Sequence, residues 1–122
     1  LLISEKAFDV LSEKELQAVV AHELGHEYFW EEIIEARHNK DFELMREIEM
    51  RCDGIAVLTL ARLGVDPVNL VSAISRIYVI NLNAMSANSF QYPPPDQRLN
   101  FIRRMIEQAR AERTAHEYLS LK

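Results

Sequence analysis

Apolar residues recur along the chain at the spacing of helix faces rather than of strands. Leu16, Val19, Val20 and Leu24 fall on or near one face, Met45, Ile48, Cys52, Ile55 and Thr59 form a second series, Leu70, Ala73, Ile74, Ile77 and Ile80 a third, and Leu99, Ile102, Ile106 and Ala109 a fourth. The punctuation between them agrees with four helices. Ser12 with Glu15 makes an S-x-x-E capping box, so the first helix starts there; with no glycine or proline after Gly25 it is expected to run to about Arg37. His38-Asn39-Lys40-Asp41 makes the turn, and the second helix, from about Asp41, stops at Gly64. Asp66-Pro67 caps and starts the third, which continues toward Ala84. Tyr92-Pro93-Pro94-Pro95 is expected to be an extended, non-helical passage before the fourth. Ahead of all of these, Leu1-Leu2-Ile3-Ser4 reads as a short strand, followed by a brief helical turn through Ala7, Phe8 and Leu11. The expected fold class is therefore mainly α, of about four helices, with at most a small sheet at the N-terminal edge.

One of these helices carries a motif. His22-Glu23-Leu24-Gly25-His26 is an H-E-x-x-H segment, and the capping box and apolar periodicity place it on a helix, the context the motif needs. Residues four apart share a face, so both imidazoles can reach one ion. Glu23 lies about 100° round the helix from His22, where it borders the ion without having to ligate it. In that place it can take a proton from a metal-activated water. A catalytic site needs a third protein ligand, and Glu43, Glu47, Glu49 and Asp53 on the second helix all compete for the role. Glu49 shares a face with Cys52 and Asp53, whereas Glu43 and Glu47 fall nearer the outer side. The i,i+4 pair Glu49 and Asp53 would let one carboxylate ligate and the other accept the free N–H of a ligand histidine. A solvated ion pair with Arg51 or Arg62 is the plainer role for Asp53. Gly54 inside a helix suggests close approach of another backbone, with Gly25 its natural counterpart.

Composition narrows the reading further. At 122 residues, 48% of them hydrophobic, the chain is expected to form a single domain over 1–122. A net charge of -5 lacks the basic footprint that nucleic acid requires. Cys52 stands alone and forms no internal disulfide, and no apolar run is long enough to span a bilayer. The chain opens at Leu1, without methionine, within an apolar stretch, which suggests a domain excised or processed from a longer protein. Tyr28, Phe29 and Trp30 read as core or cleft wall, and His38 and His116 as surface residues. The arginines Arg103, Arg104, Arg110 and Arg113 read as a solvated face once Glu107, Glu112 and Glu117 are counted against them.

Three segments in order resemble the gluzincin zinc metallopeptidases of the HtpX-like, CAAX-prenyl-protease-like and BepA-like group. Leu11-Ser12-Glu13-Lys14-Glu15-Leu16 through His26 is similar to the family's active-site helix, Glu49-Met50-Arg51-Cys52-Asp53 to its E-x-x-A-D segment, and Tyr92-Pro93-Pro94-Pro95-Asp96-Gln97-Arg98 to its H-P-x-x-x-x-R element. The resemblance implies one Zn2+ held by His22, His26 and Glu49, with Asp53 supporting a ligand histidine, Glu23 as general base and a peptide or protein as substrate. It further implies that the N-terminal edge pairs with an extended substrate, and that a parent chain works outside the cytoplasm or at a membrane. Two positions depart from the family pattern. Cys52 replaces the usual alanine, as a small buried residue or as a soft ligand that competes for the metal. Tyr92 replaces the usual histidine; its hydroxyl would donate to the developing oxyanion, or its ring would simply pack on the prolines. Arg98 would tie the proline passage to the active-site helix, or remain a solvated charge. The alternative to a working endopeptidase is a latent enzyme or a zinc-stabilised binding or scaffold module.

Overall fold

The computed structural model of the chain describes residues 5–81 and 93–120. Among them are helices α1 (Glu5–Val10), α2 (Glu13–Tyr28), α3 (Trp30–His38), α4 (Phe42–Arg62), α5 (Val68–Asn81) and α6 (Pro95–Ser120), with no strand. The fold is thus mainly α. The strand expected at Leu1–Ser4 and the continuation of the third helix toward Ala84 lie outside the described residues. No helix among the described residues is long and apolar enough to cross a membrane.

The helix boundaries follow from local hydrogen bonding. Ser12 Oγ accepts from the Glu15 amide at 3.1 Å while Glu15 Oε1 accepts from the Ser12 amide at 3.0 Å, which completes the capping box of α2. Asp41 Oδ1 caps α4 by accepting from the Leu44 amide at 3.1 Å, and Asp66 Oδ1 accepts from the Val68 amide at the start of α5 at 3.0 Å. Gly64, at φ 74°, turns the chain out of α4 in the left-handed conformation that a side chain disfavours.

Two boundaries differ from expectation. The helix expected to run from Ser12 to Arg37 changes direction at Phe29, whose φ of -98° and ψ of 20° separate α2 from α3. The cause is packing. Phe29 lies against Ile33, Ala36, Met45, Ile48 and Cys52, and the turn lets α3 bury Ile33 and Ala36 on α4. The break needs neither glycine nor proline, because Phe29 N–H still donates to Gly25 at 3.0 Å and Ile33 N–H to Phe29 at 2.9 Å. At the other end, Pro95 is the first residue of α6 rather than part of the non-helical passage. A proline fits there because the amide it lacks would have no helical partner.

Helix α4 is central, packing against α2, α3 and α6, while α2 and α6 also meet α5. Its inward face is richer than the sequence series indicated. Ala56, Val57 and Leu60 join Ala18, Ala21, Leu70 and Ile102 in the main cluster, whereas Ile55 and Thr59 are only half-buried. Glu15 is buried too, and its Oε2 lies 3.0 Å from Arg76 Nε, which fastens the start of α2 to α5.

Of the two glycines, Gly25 is the one at a close approach of α2 to α4. A Cβ at Gly25 would fall 2.9 Å from Cα, Cβ and Sγ of Cys52, whereas one at Gly54 would meet Met105 Cε at 3.6 Å. Gly54 therefore faces α6, not Gly25 as expected. Gly25→Ala should separate the two helices and destabilise the chain by about 1–3 kcal/mol. Gly54→Ala should be neutral or stabilising by up to about 1 kcal/mol, the gain in helix propensity. Urea unfolding of both variants checks this order.

Candidate metal centre

The close approach at Gly25 brings the polar faces of α2 and α4 together. His22 and His26 stand one turn apart with ring centroids 4.7 Å apart, edge to face. Across from them Glu49 places Oε1 2.6 Å from His26 Nε2 and Oε2 3.2 Å from His22 Nε2. One carboxylate from α4 thus meets the same nitrogen of both imidazoles.

The second ring nitrogens are held from behind. His22 Nδ1 lies 2.7 Å from Asp53 Oδ1, and because a carboxylate only accepts, Nδ1 carries the proton and donates. That holds the proton on Nδ1 and turns Nε2 toward Glu49, to which it donates when the ring is protonated. Asp53 has no exposure to solvent, and it also accepts two hydrogen bonds from Arg98, Nε at 2.7 Å and NH2 at 2.9 Å. Arg98 NH2 is in turn 3.8 Å from Glu49 Oε2. The solvated role considered for Asp53 does not apply; Arg51 pairs instead with Glu47, at 2.7 Å on the surface. Arg98 likewise is no solvated charge, since it fastens the first turn of α6 to α4.

His26 Nδ1 lies 2.9 Å from Glu23 Oε2, so a carboxylate flanks each nitrogen of this ring. Both nitrogens then donate, and the hydrogen bonds to Glu23 and Glu49 push the His26 pKa up to about 10. Burial lowers that of His22, yet Asp53 and Glu49 outweigh it and the net direction is upward. The same contacts act on the acids. The hydrogen bond from His26 lowers Glu23, and although burial opposes it, the two histidines hold Glu49 far below the usual carboxylate range.

One ligand atom each from His22, Glu23 and His26 lies within 4.8 Å of the others, so this group could hold a metal ion. Glu49 brings a second carboxylate to the same two rings. Its oxygens sit at Nε2 of both rings, whereas Glu23 touches His26 only at Nδ1. Its Oε2 is buried without a hydrogen-bond partner, an orphaned acceptor facing His22 Nε2. Charge points the same way. With both imidazoles neutral, the carboxylates of Glu23, Glu49 and Asp53 are met by the guanidinium of Arg98 at Asp53 and Glu49 alone, an excess of negative charge that a divalent cation would neutralise.

Cys52 is fully buried beside this cluster, packed with Ile33, Met45 and Ile48, and burial with the neighbouring carboxylates pushes its thiol up to about 12. It remains a thiol at neutral pH and serves packing. Tyr92 lies outside the described residues. His38 and His116 are exposed, as are Arg103, Arg104, Arg110 and Arg113. The residue pattern by itself singled out neither the Arg98 to Asp53 link nor the Glu23 to His26 contact; only the family resemblance pointed to that arginine.

The metal-free protein should show a distinct pH profile. The raised His26 pKa contributes stability that is complete below its usual value of 6.5 and is lost as pH rises toward about 10. The lowered Glu49 pKa contributes stability present above its usual value of 4.5 and lost as pH falls. Thermal unfolding in chelator should therefore give the highest Tm between these two usual values, with a decline on the alkaline side that His26→Gln flattens. No family model matches this chain, and no curated protein and no solved structure matches it either.

Proposed function

We propose that the chain is the catalytic domain of a zinc-dependent endopeptidase, with His22, His26 and Glu49 holding the metal. The observation that carries this reading is the Glu49 carboxylate set against Nε2 of both histidines of an H-E-x-x-H helix, with Asp53 fixing the tautomer of one of them. Two imidazoles and one carboxylate with a fourth position left for solvent is the donor set of a catalytic rather than a structural zinc site. The resemblance of the three segments to the HtpX-like gluzincins supports the same assignment.

When bound, the ion would acidify a water molecule and polarise the scissile carbonyl. The chain's own residues do the remainder. Glu23 sits between the histidines and the open side of α2, and its carboxylate takes the proton from the attacking water and returns it to the leaving amine. With Oε2 engaged by His26 Nδ1, Oε1 is the oxygen that moves the proton. Asp53 and Arg98 touch no substrate; they keep His22 in the tautomer that offers Nε2 and keep Glu49 turned toward the rings.

One observation favours a second reading, a latent or silent zinc-stabilised scaffold. The contacts of His22 and His26 with Glu49 and Asp53 already tie α2 to α4, a job that requires no turnover. Glu23→Gln separates the two. As an endopeptidase, the variant should bind zinc in full and lose about 10²–10⁴-fold in hydrolysis of unfolded casein, the range expected for a general base. A scaffold would show equal zinc content and no hydrolysis in either protein. For the ligand set, Glu49→Ala should weaken zinc binding far more than Glu47→Ala in competition with a chromogenic chelator; the opposite order would reject Glu49.

A further inference from the structure

Five of the large apolar side chains that are exposed among the described residues lie on α2 and α3, the helix of the site and the one that follows it. Val20, Leu24 and Tyr28 of α2 are 45%, 54% and 76% exposed, and Trp30 and Ile34 of α3 are 51% and 46% exposed. At about 100° per residue, Val20, Leu24 and Glu27 form one stripe along α2, and Glu23 lies between that stripe and His26. On α2 the strip and the two histidines thus occupy neighbouring faces.

The strip is also acidic. No lysine or arginine occurs between Lys14 and Arg37, while Glu27, Glu31, Glu32 and Glu35 are all exposed there. Apart from Arg51 of α4, whose guanidinium lies 5.9 Å from the ring of Phe29, the charges shown beside the strip are anionic, and an apolar surface of that charge selects its occupant. Exposed apolar patches mark binding sites, and the exposed glutamates attract cations. An anionic lipid surface would be repelled by them.

We propose that this strip docks the substrate polypeptide, and that the segment it selects is apolar with lysine or arginine beside it. The inference rests on the peptidase reading and names its substrate class. Apolar side chains of the segment lie against Leu24 and Tyr28, its cations lie against Glu27 and Glu31, and the bound chain passes next to Glu23.

Trp30 is the only tryptophan, so its emission reports occupancy of the strip without any turnover. The probe is a synthetic peptide of leucine, lysine, serine and glycine, titrated into the Glu23→Gln chain, beside a counterpart with glutamate in place of lysine. The lysine peptide should shift Trp30 emission saturably and the glutamate peptide should not. Binding should weaken about tenfold or more in Glu27→Lys/Glu31→Lys, and also on raising salt into the range where the Debye length falls to about 3 Å. The control Glu112→Lys/Glu117→Lys on α6 should leave it unchanged. Equal binding of both peptides, or an equal loss from the α6 control, overturns the proposal. So does a Trp30 shift that follows protein concentration without peptide, which would make a second copy the occupant. A chain that binds the lysine peptide yet hydrolyses nothing defeats the peptidase reading alone; one that hydrolyses casein without charge preference defeats only the docking strip.

Discussion

A carboxylate sealed from solvent must be matched by donors, and Asp53 is matched from two directions, by the imidazole of His22 on α2 and by the guanidinium of Arg98 on α6. Removing either partner would leave charge stranded where water cannot reach it, a cost of several kcal/mol. The three helices are therefore joined through a single side chain on α4. Its position four residues after Glu49 then decides what the opposite face of the imidazoles meets. Asp53 orients the ring from behind and Glu49 receives it in front.

The second constraint is steric. Gly25 lets α2 approach Cys52 so closely that no side chain fits between them, and it stands in the turn between the two histidines. Backbone proximity and ligand convergence are thus one feature. The price of that proximity is a concentration of acidic groups that the protein resolves by protonating His26 when no ion is present. The same arrangement that makes the cluster a set of ion pairs gathers a His/Glu/His group that could hold a metal ion.

Much of this was legible from residue pattern. The capping box at Ser12, the cap at Asp41, the left-handed exit at Gly64 and the start after Asp66 are local signals, each confined to a few neighbouring residues, and each stands where the pattern places it. The shared face of the two histidines follows from helical spacing, whereas spacing left Glu49 among four competing carboxylates and only the family resemblance singled it out. What escaped is decided by contacts between elements. The turn at Phe29 is set by the burial of Ile33 and Ala36 on α4, and the breaking residue carries no breaker signature. The choice between Gly25 and Gly54 as the contact point depends on which neighbour each faces, which spacing along one helix does not encode. Likewise, the periodic series on α4 named Ile55 and Thr59 inward, because periodicity gives a face but not the three helices packed around it.

The functional reading reduces to whether the two imidazoles and the Glu49 carboxylate grip one zinc ion. X-ray absorption at the zinc edge of the stoichiometrically loaded chain tests this most directly. The expected spectrum shows imidazole scattering from two histidines and only nitrogen or oxygen neighbours at roughly 2.0–2.2 Å, in a shell of four or five. A sulfur neighbour at about 2.3 Å would assign the metal to Cys52, and the absence of imidazole scattering would remove His22 and His26 from the site; either result would contradict the account.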